Sequence, residues 1–145
     1  MSHDPYAVQA DMEALWGLND VSVSSDWDNT GHVVPTNVTK ALASATSTID
    51  RYVAVRYTVP LQVVPDDLKN ACCDIGMYLM CPTATTMTDQ KKERYQNAMS
   101  YLKDLSTGKV TLGEQQNSQV AATSADVEIM GPPRALTRES MRRLL

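Results

Sequence analysis

The sequence predicts a mainly helical fold: a small bundle of about four helices, one of them long, with an extended C-terminal arm. Three observations support this prediction. Apolar residues recur at helical spacings over several stretches, start and stop signals bracket each stretch, and the periodicity is lost after Gly113. The chain has 145 residues, 43% of them hydrophobic, which suffices for one domain with a core. We therefore divide it into a helical domain, residues 1–113, and an arm, residues 114–145.

The residue pattern in the first half of the chain predicts two helices. The first covers residues 7–16 and ends at Gly17. Residues 18–34 are predicted as a loop, because Asn, Asp, Ser and Gly are dense there and no helical period persists. The long helix starts at Pro35 and continues to about Arg56. Six of its residues follow each other at spacings of three and four and share one face: Val38, Leu42, Ala45, Ile49, Tyr52 and Arg56.

The third predicted helix starts near Pro65 and stops at Pro82. Asp66 and Asp67 lie in its first turn, where the helix dipole favours negative charge. Its predicted apolar stripe consists of four residues: Leu68, Cys72, Ile75 and Leu79.

The fourth predicted helix begins after Thr88, a good N-cap residue, and ends at Gly108. Residues 91–94 are predicted to begin its solvated stretch because all four are charged. Its predicted inner face consists of four residues: Tyr95, Ala98, Leu102 and Leu105.

The C-terminal arm differs in composition from the helical domain. Residues 114–126 are rich in Gln, Ser, Ala and Thr and offer no apolar face, which predicts an extended or flexible segment. The alternative to a partner-binding arm is a simple disordered tail. A short strand is predicted before the breakers Gly131, Pro132 and Pro133, and a terminal helical turn after Thr137. The four residues of the predicted strand are Val127, Glu128, Ile129 and Met130.

Charge is polarised along the chain. The net charge of −4 combines −6 over residues 1–39, −1 over residues 40–133 and +3 over residues 134–145. An acidic start and a basic end suit contact between two copies, so we predict an inter-subunit acidic surface from Asp11, Glu13, Asp20, Asp26 and Asp28. Arginine forks bind carboxylates or phosphates, and apolar neighbours anchor such contacts. The predicted partner-binding residues of the arm are Arg134, Leu136, Arg138, Met141, Arg142, Arg143, Leu144 and Leu145. The alternative for this segment is a solubilising terminal helix.

No group of residues in the sequence predicts catalysis or a metal site. Cys72, Cys73 and Cys81 lack both a CxxC spacing and a nearby His, so we expect packed, reduced thiols rather than a zinc site. Residues 26–31 resemble the front of a calcium loop, but Asn37 stands where the bidentate Glu is needed, which favours a plain turn.

We expect no enzyme activity and no cofactor. We also expect no signal peptide and no membrane helix, since the longest apolar run has five residues.

Short motifs follow one another in a fixed order along the chain: Pro5-Tyr6-Ala7, Trp16-Gly17, Ile49-Asp50-Arg51-Tyr52, Arg56-Tyr57, Ala71-Cys72-Cys73-Asp74-Ile75, Glu93-Arg94-Tyr95, Leu112-Gly113 and Pro132-Pro133-Arg134. This order resembles the Mu-type phage neck protein family, whose members are similar to head–tail connector (head-completion) proteins of tailed phages. The resemblance departs from the family pattern at residues 26–31 and 114–130.

This resemblance implies a homo-oligomeric ring of twelve copies in the virion neck. The ring would lie beneath the portal protein, extend the DNA channel and present a platform for a tail-side neck or tail terminator protein. Phage DNA would pass through without specific binding, and the strand at residues 127–130 would add to a neighbour. The alternative from the residues themselves is a small cytosolic DNA-associated helical protein that uses the C-terminal arginines.

Overall fold

A computed structural model describes residues 3–81 and 83–113, and these residues form five α-helices. The helices are α1 (Gln9–Trp16), α2 (Leu18–Ser25), α3 (Pro35–Val53), α4 (Asp66–Met80) and α5 (Asp89–Thr107). No strand occurs among the described residues, and the predicted mainly helical bundle is confirmed. The predicted strand at residues 127–130, the terminal turn and all predicted binding residues of the arm lie outside the described residues.

Helix α4 occupies the centre of the bundle and contacts all four other helices, most extensively α3. Because α4 is covered on several sides, eight of its fifteen residues are buried. The predicted stripe of α4 is correct for Leu68, Cys72 and Ile75, whereas Leu79 is 44% exposed. Met77 and Met80 are buried instead. None of the helices in the described part of the chain is long and apolar enough to cross a membrane.

The prediction of a loop over residues 18–34 is wrong in its first half, which forms α2. Gly17, with φ of 89°, turns the chain between α1 and α2. Val21, Ser24 and Ser25 are fully buried in this short helix. Packing therefore stabilises a helix whose Ser, Asn, Asp and Val residues have weak intrinsic propensity.

The long helix ends at Val53, three residues earlier than predicted. Its buried face includes the predicted Val38, Leu42, Ala45 and Ile49, and then continues with Val53 rather than with Tyr52 and Arg56. A stripe with 3.5-residue spacing drifts by about 20° per seven residues on a straight helix. Over the 14 residues from Val38 to Tyr52 this drift amounts to about 40°, which turns Tyr52 toward the edge of the buried face, and Arg56 lies beyond the end of the helix.

Tyr57, just after α3, is among the largest fully buried side chains, and its hydroxyl oxygen accepts a hydrogen bond from the backbone N–H of Leu112 at 3.3 Å. Replacing Tyr57 by Ala is expected to lower the free energy of unfolding by about 3–5 kcal/mol, because it leaves a ring-sized cavity. Tyr57→Phe keeps the ring and is expected to cost only about 1 kcal/mol, for the lost hydrogen bond. Urea unfolding of both variants measures these costs, and equal costs would contradict the prediction.

Candidate interaction site

The three cysteines have free thiols. Cys72 and Cys73 are buried within α4, whereas Cys81, just after its end, is partly exposed. Burial raises the pKa of Cys72 to about 11 and that of Cys73 to about 12. Within residues 3–81 and 83–113 no group of three or more His, Cys, Asp or Glu side chains is placed to hold a metal ion.

These thiols are expected to differ in reactivity. Iodoacetamide at pH 8 should modify Cys81 of the native protein first, because Cys72 and Cys73 are covered and only about one Cys72 thiol in a thousand would be ionised. Mass spectrometry after brief alkylation measures the order, and in urea all three cysteines should react. Modification of Cys72 ahead of Cys81 in the native protein would contradict this expectation.

Residues 26–31 form a turn around the carboxylate of Asp26. This carboxylate accepts hydrogen bonds from the backbone N–H of Thr30 at 2.8 Å, from the Thr30 hydroxyl at 3.0 Å and from the backbone N–H of Gly31. The bond from the Thr30 N–H is the main reason why the pKa of Asp26 lies below its usual range. Because groups of the same loop already donate hydrogen bonds to both oxygens of this carboxylate, the geometry favours a plain turn over a calcium loop.

The five residues of the predicted acidic surface lie on three consecutive segments. Asp11 and Glu13 are on α1. The Asp11 carboxylate accepts a hydrogen bond from the backbone N–H of Val8 at 3.0 Å, and the Glu13 carboxylate accepts one from the side-chain amide of Gln9 at 2.7 Å. Asp20 is exposed in the first turn of α2, and Asp28 is exposed in the following turn with Asp26. Their role in contacts between copies stays a prediction.

A cluster of Trp16, Asp74 and Arg94 joins α1, α4 and α5. The Arg94 guanidinium lies 3.0 Å from Asp74 Oδ1, which also accepts a hydrogen bond from Trp16 Nε1 at 3.2 Å. The guanidinium carbon stands 4.2 Å from the centre of the Trp16 ring, a cation–π distance. Burial raises the pKa of Asp74, and the attraction of Arg94 only partly offsets this effect. All three residues belong to motifs that carry the family resemblance, but nothing in the sequence marks their contact, since they come from three separate helices.

Two open grooves flank the N-terminal half of α4 beside this cluster, and we call them the acidic grooves. The groove between α4 and α5 has a volume of about 270 Å³, and the groove between α1 and α4 about 260 Å³. The first is lined by Asp67, Asn70, Ala71, Asp74, Ala98 and Tyr101. The second is lined by Asp11, Ala14, Leu15, Asp66, Lys69 and Asn70. Asn70 lines both grooves, so they adjoin at this residue, and each is lined by apolar side chains together with two aspartates.

The prediction that residues 91–94 begin a solvated stretch is correct for Lys92 and Glu93 but wrong for Lys91, which is 5% exposed. Arg94 is partly buried in the cluster described above. The Lys91 ammonium donates hydrogen bonds to Ser24 Oγ at 2.9 Å and to the backbone carbonyl of Thr86 at 2.8 Å. The Lys91 side chain therefore connects the first turn of α5 to α2 by a hydrogen bond. Lys91 stands seven residues before buried Ala98, so helical spacing is the signal that could have placed it on the buried face.

Comparison with known proteins places this chain among bacteriophage sequences. A family described as "Bacteriophage Mu, Gp36" matches residues 6–130. The gp36 protein of the Mu-like prophage FluMu in Haemophilus influenzae is 36% identical over 76 residues, which are 52% of this chain and 52% of that relative. Gene product J of Escherichia phage Mu is 29% identical over 101 residues, 69% of this chain and 70% of that relative. The chain thus spans about half the length of the Haemophilus relative.

Proposed function

The chain belongs to the Bacteriophage Mu Gp36 family, and we propose that it is a structural protein of the virion, a head–tail connector of the adaptor or head-completion type. Twelve copies form a ring beneath the portal protein in the virion neck. The ring extends the DNA channel and gives a tail-side neck or tail terminator protein a platform for attachment. The protein does this without catalysis and without a cofactor.

The family match over residues 6–130 carries this proposal, because it includes nearly all of the helical bundle and part of the arm. Membership in a family of phage proteins supports a role in building the phage particle. The polarised charge supports a ring, because a head-to-tail contact joins two different surfaces of the same chain. Repeated contacts of this kind form a closed ring when the rotations between neighbouring copies add up to a full turn.

The acidic balance of the described residues also fits a channel component. DNA sliding through a ring must not be held by its phosphates, and carboxylates repel phosphates. Residues 3–81 and 83–113 carry thirteen acidic and nine basic side chains. A joint that conducts DNA is therefore compatible with the charges of the described part of the chain.

Electron microscopy of the purified protein mixed with its portal protein tests this proposal. Rings are expected, either alone or stacked on the portal, and native mass spectrometry gives the number of copies. A protein that stays monomeric and never binds the portal would contradict the proposal.

The second candidate function, a small DNA-associated protein, rests on the four arginines at residues 134–143. It predicts DNA binding that weakens steeply as salt is raised, because phosphate contacts release counterions. A mobility-shift series from low to high salt separates the two candidates. Absence of binding even at low salt would exclude the DNA-associated protein and leave the connector.

A further inference from the structure

We propose that the acidic grooves of one copy receive residues 134–145 of a second copy. This inference rests on the proposed function, because a ring supplies the neighbouring copy. It assigns a receptor surface that differs from the acidic surface predicted from sequence: of those five aspartates and glutamates, Asp11 alone lines a groove.

The charges of the two surfaces are complementary. Asp74 is paired with Arg94, but Asp66 and Asp67 are exposed at the start of α4, and Lys69 is the single basic residue that lines the acidic grooves. Residues 134–145 carry four arginines and one glutamate. Arginine forks bind carboxylates in a bidentate manner, so Asp66 and Asp67 are suited to receive them.

The charge of Asp67 on α4 acts on Tyr101, which lines the α5 side of the same groove. Burial raises the pKa of the Tyr101 hydroxyl, and the charge of Asp67 raises it further. Asp67 and Tyr101 both line this groove, so its wall experiences the field of the carboxylate at its rim. A cationic side chain entering the groove would meet this field directly.

The size and lining of the grooves suit anchoring side chains. Each groove is slightly smaller than the range of about 300–1,000 Å³ that is usual for pockets that hold a whole small molecule. Leu15, Ala71 and Ala98 supply apolar wall. Residues 134–145 combine their arginines with apolar side chains at Leu136, Met141, Leu144 and Leu145. Alternating cationic and apolar anchors match an apolar groove with an acidic rim.

The linking segment is long enough to reach a second copy. Twenty residues, 114–133, separate the end of the described residues from Arg134. Fully extended, they could span at most about 70 Å. A body of about 110 residues has a radius of gyration near 13 Å, so this reach exceeds the width of one subunit.

Photo-cross-linking of the full chain tests the proposal. Asn70, which is exposed and lines both grooves, is replaced by the photoreactive residue p-benzoylphenylalanine. The substituted copies are labelled with ¹⁵N and mixed with unlabelled wild-type copies before irradiation. Mass spectrometry is expected to find residue 70 joined to an unlabelled peptide from residues 134–145. Exposed Ser47 on α3 is the matched control position and should give no such product.

Charge exchange gives a second, independent readout. The pair Asp66→Arg and Asp67→Arg, and separately the pair Arg138→Glu and Arg142→Glu, should each lower the yield of the cross-link about tenfold. Combining both pairs should restore the yield. The milder pair, Asp66→Asn with Asp67→Asn, should lower the yield of the cross-link by a smaller factor. It replaces the Asp→Arg pair in the experiment if that variant does not fold. Circular dichroism checks folding in each case.

Three outcomes would overturn the proposal: a cross-link to residues 134–145 of the same copy, a cross-link only to other segments, or a yield that charge reversal leaves unchanged. Electron microscopy of phage particles separates this failure from failure of the proposed function. Particles that carry the chain at the neck, without the cross-link, would refute the groove contact and leave the connector role. Absence of the wild-type chain from particles would refute the connector role itself.

Discussion

A chain that lacks residues 132–145 is expected to keep a folded helical body and to lose docking to its partners. The body should fold because one continuous hydrophobic core, from Tyr6 to Leu112, is built by residues that all precede the deletion. Docking should be lost because the deletion removes every arginine and apolar anchor predicted in the arm. Circular dichroism and thermal unfolding measure the first expectation. Native mass spectrometry with the portal protein measures the second.

A matched variant separates charge from apolar contact in the arm. Replacing Arg134, Arg138, Arg142 and Arg143 by Gln keeps the length and the apolar residues of the segment. This variant should also fail to dock if the arginines supply the specificity. Normal virion assembly by the truncated chain would refute a docking role for residues 132–145, and a truncated chain that does not fold would refute the independence of the helical body.

Replacing Gly76 by Leu is expected to destabilise the protein by about 3 kcal/mol, the upper end for overpacking a core. Gly76 lies in the second half of α4 and faces Met12 of α1 and Ala41 and Leu42 of α3. A Cβ atom at this position would stand 2.9 Å from Met12 Cε and 3.3 Å from Leu42 Cδ2. Both neighbouring side chains are buried, so three further carbons have no space to enter. Chemical denaturation measures the change in free energy of unfolding.

Gly76→Ala is the control for this substitution. Alanine favours the helical backbone by about 1 kcal/mol over glycine. Its single Cβ atom meets mainly the flexible end of Met12, which can shift by a few tenths of an ångström. The expected net effect on the free energy of unfolding is therefore close to zero. A strongly destabilised alanine variant would show that the helices around Gly76 cannot adjust, and a stable leucine variant would contradict the close packing.

Much of the helical pattern could be predicted because its signals are local. The side chain of Thr88 accepts the backbone N–H of Lys91 at 3.3 Å, as expected for an N-cap, and Gly108 ends α5 with φ of 85°. Asp66 and Asp67 occupy the first turn of α4 as predicted. The errors arise where local preference is weak. Apart from Leu18, helix α2 consists of weak helix formers, and the burial of Val21, Ser24 and Ser25 against the rest of the bundle stabilises it.

The candidate site was less predictable, because contacts between distant residues build it. Asp74 stands 58 positions after Trp16 in the chain, yet the two side chains share a hydrogen bond. Asp11 and Asp66 line one groove although they belong to the first and fourth helices. A single sequence carries no record of such pairs, since helical periodicity specifies which face of a helix is buried but not which helix covers it.

The sequence by itself determined the mainly helical class, most helix ends, the polarised charge and the family resemblance. Each of these depends on residue type and on spacing within a few turns of the same segment. Only the tertiary structure decided that α4 lies at the centre, that Lys91 is buried beside Ser24, and that Asp66 and Asp67 border two grooves. The physical reason is that burial and electrostatic partners come from the packing of separate helices, and packing places together residues that the sequence keeps far apart.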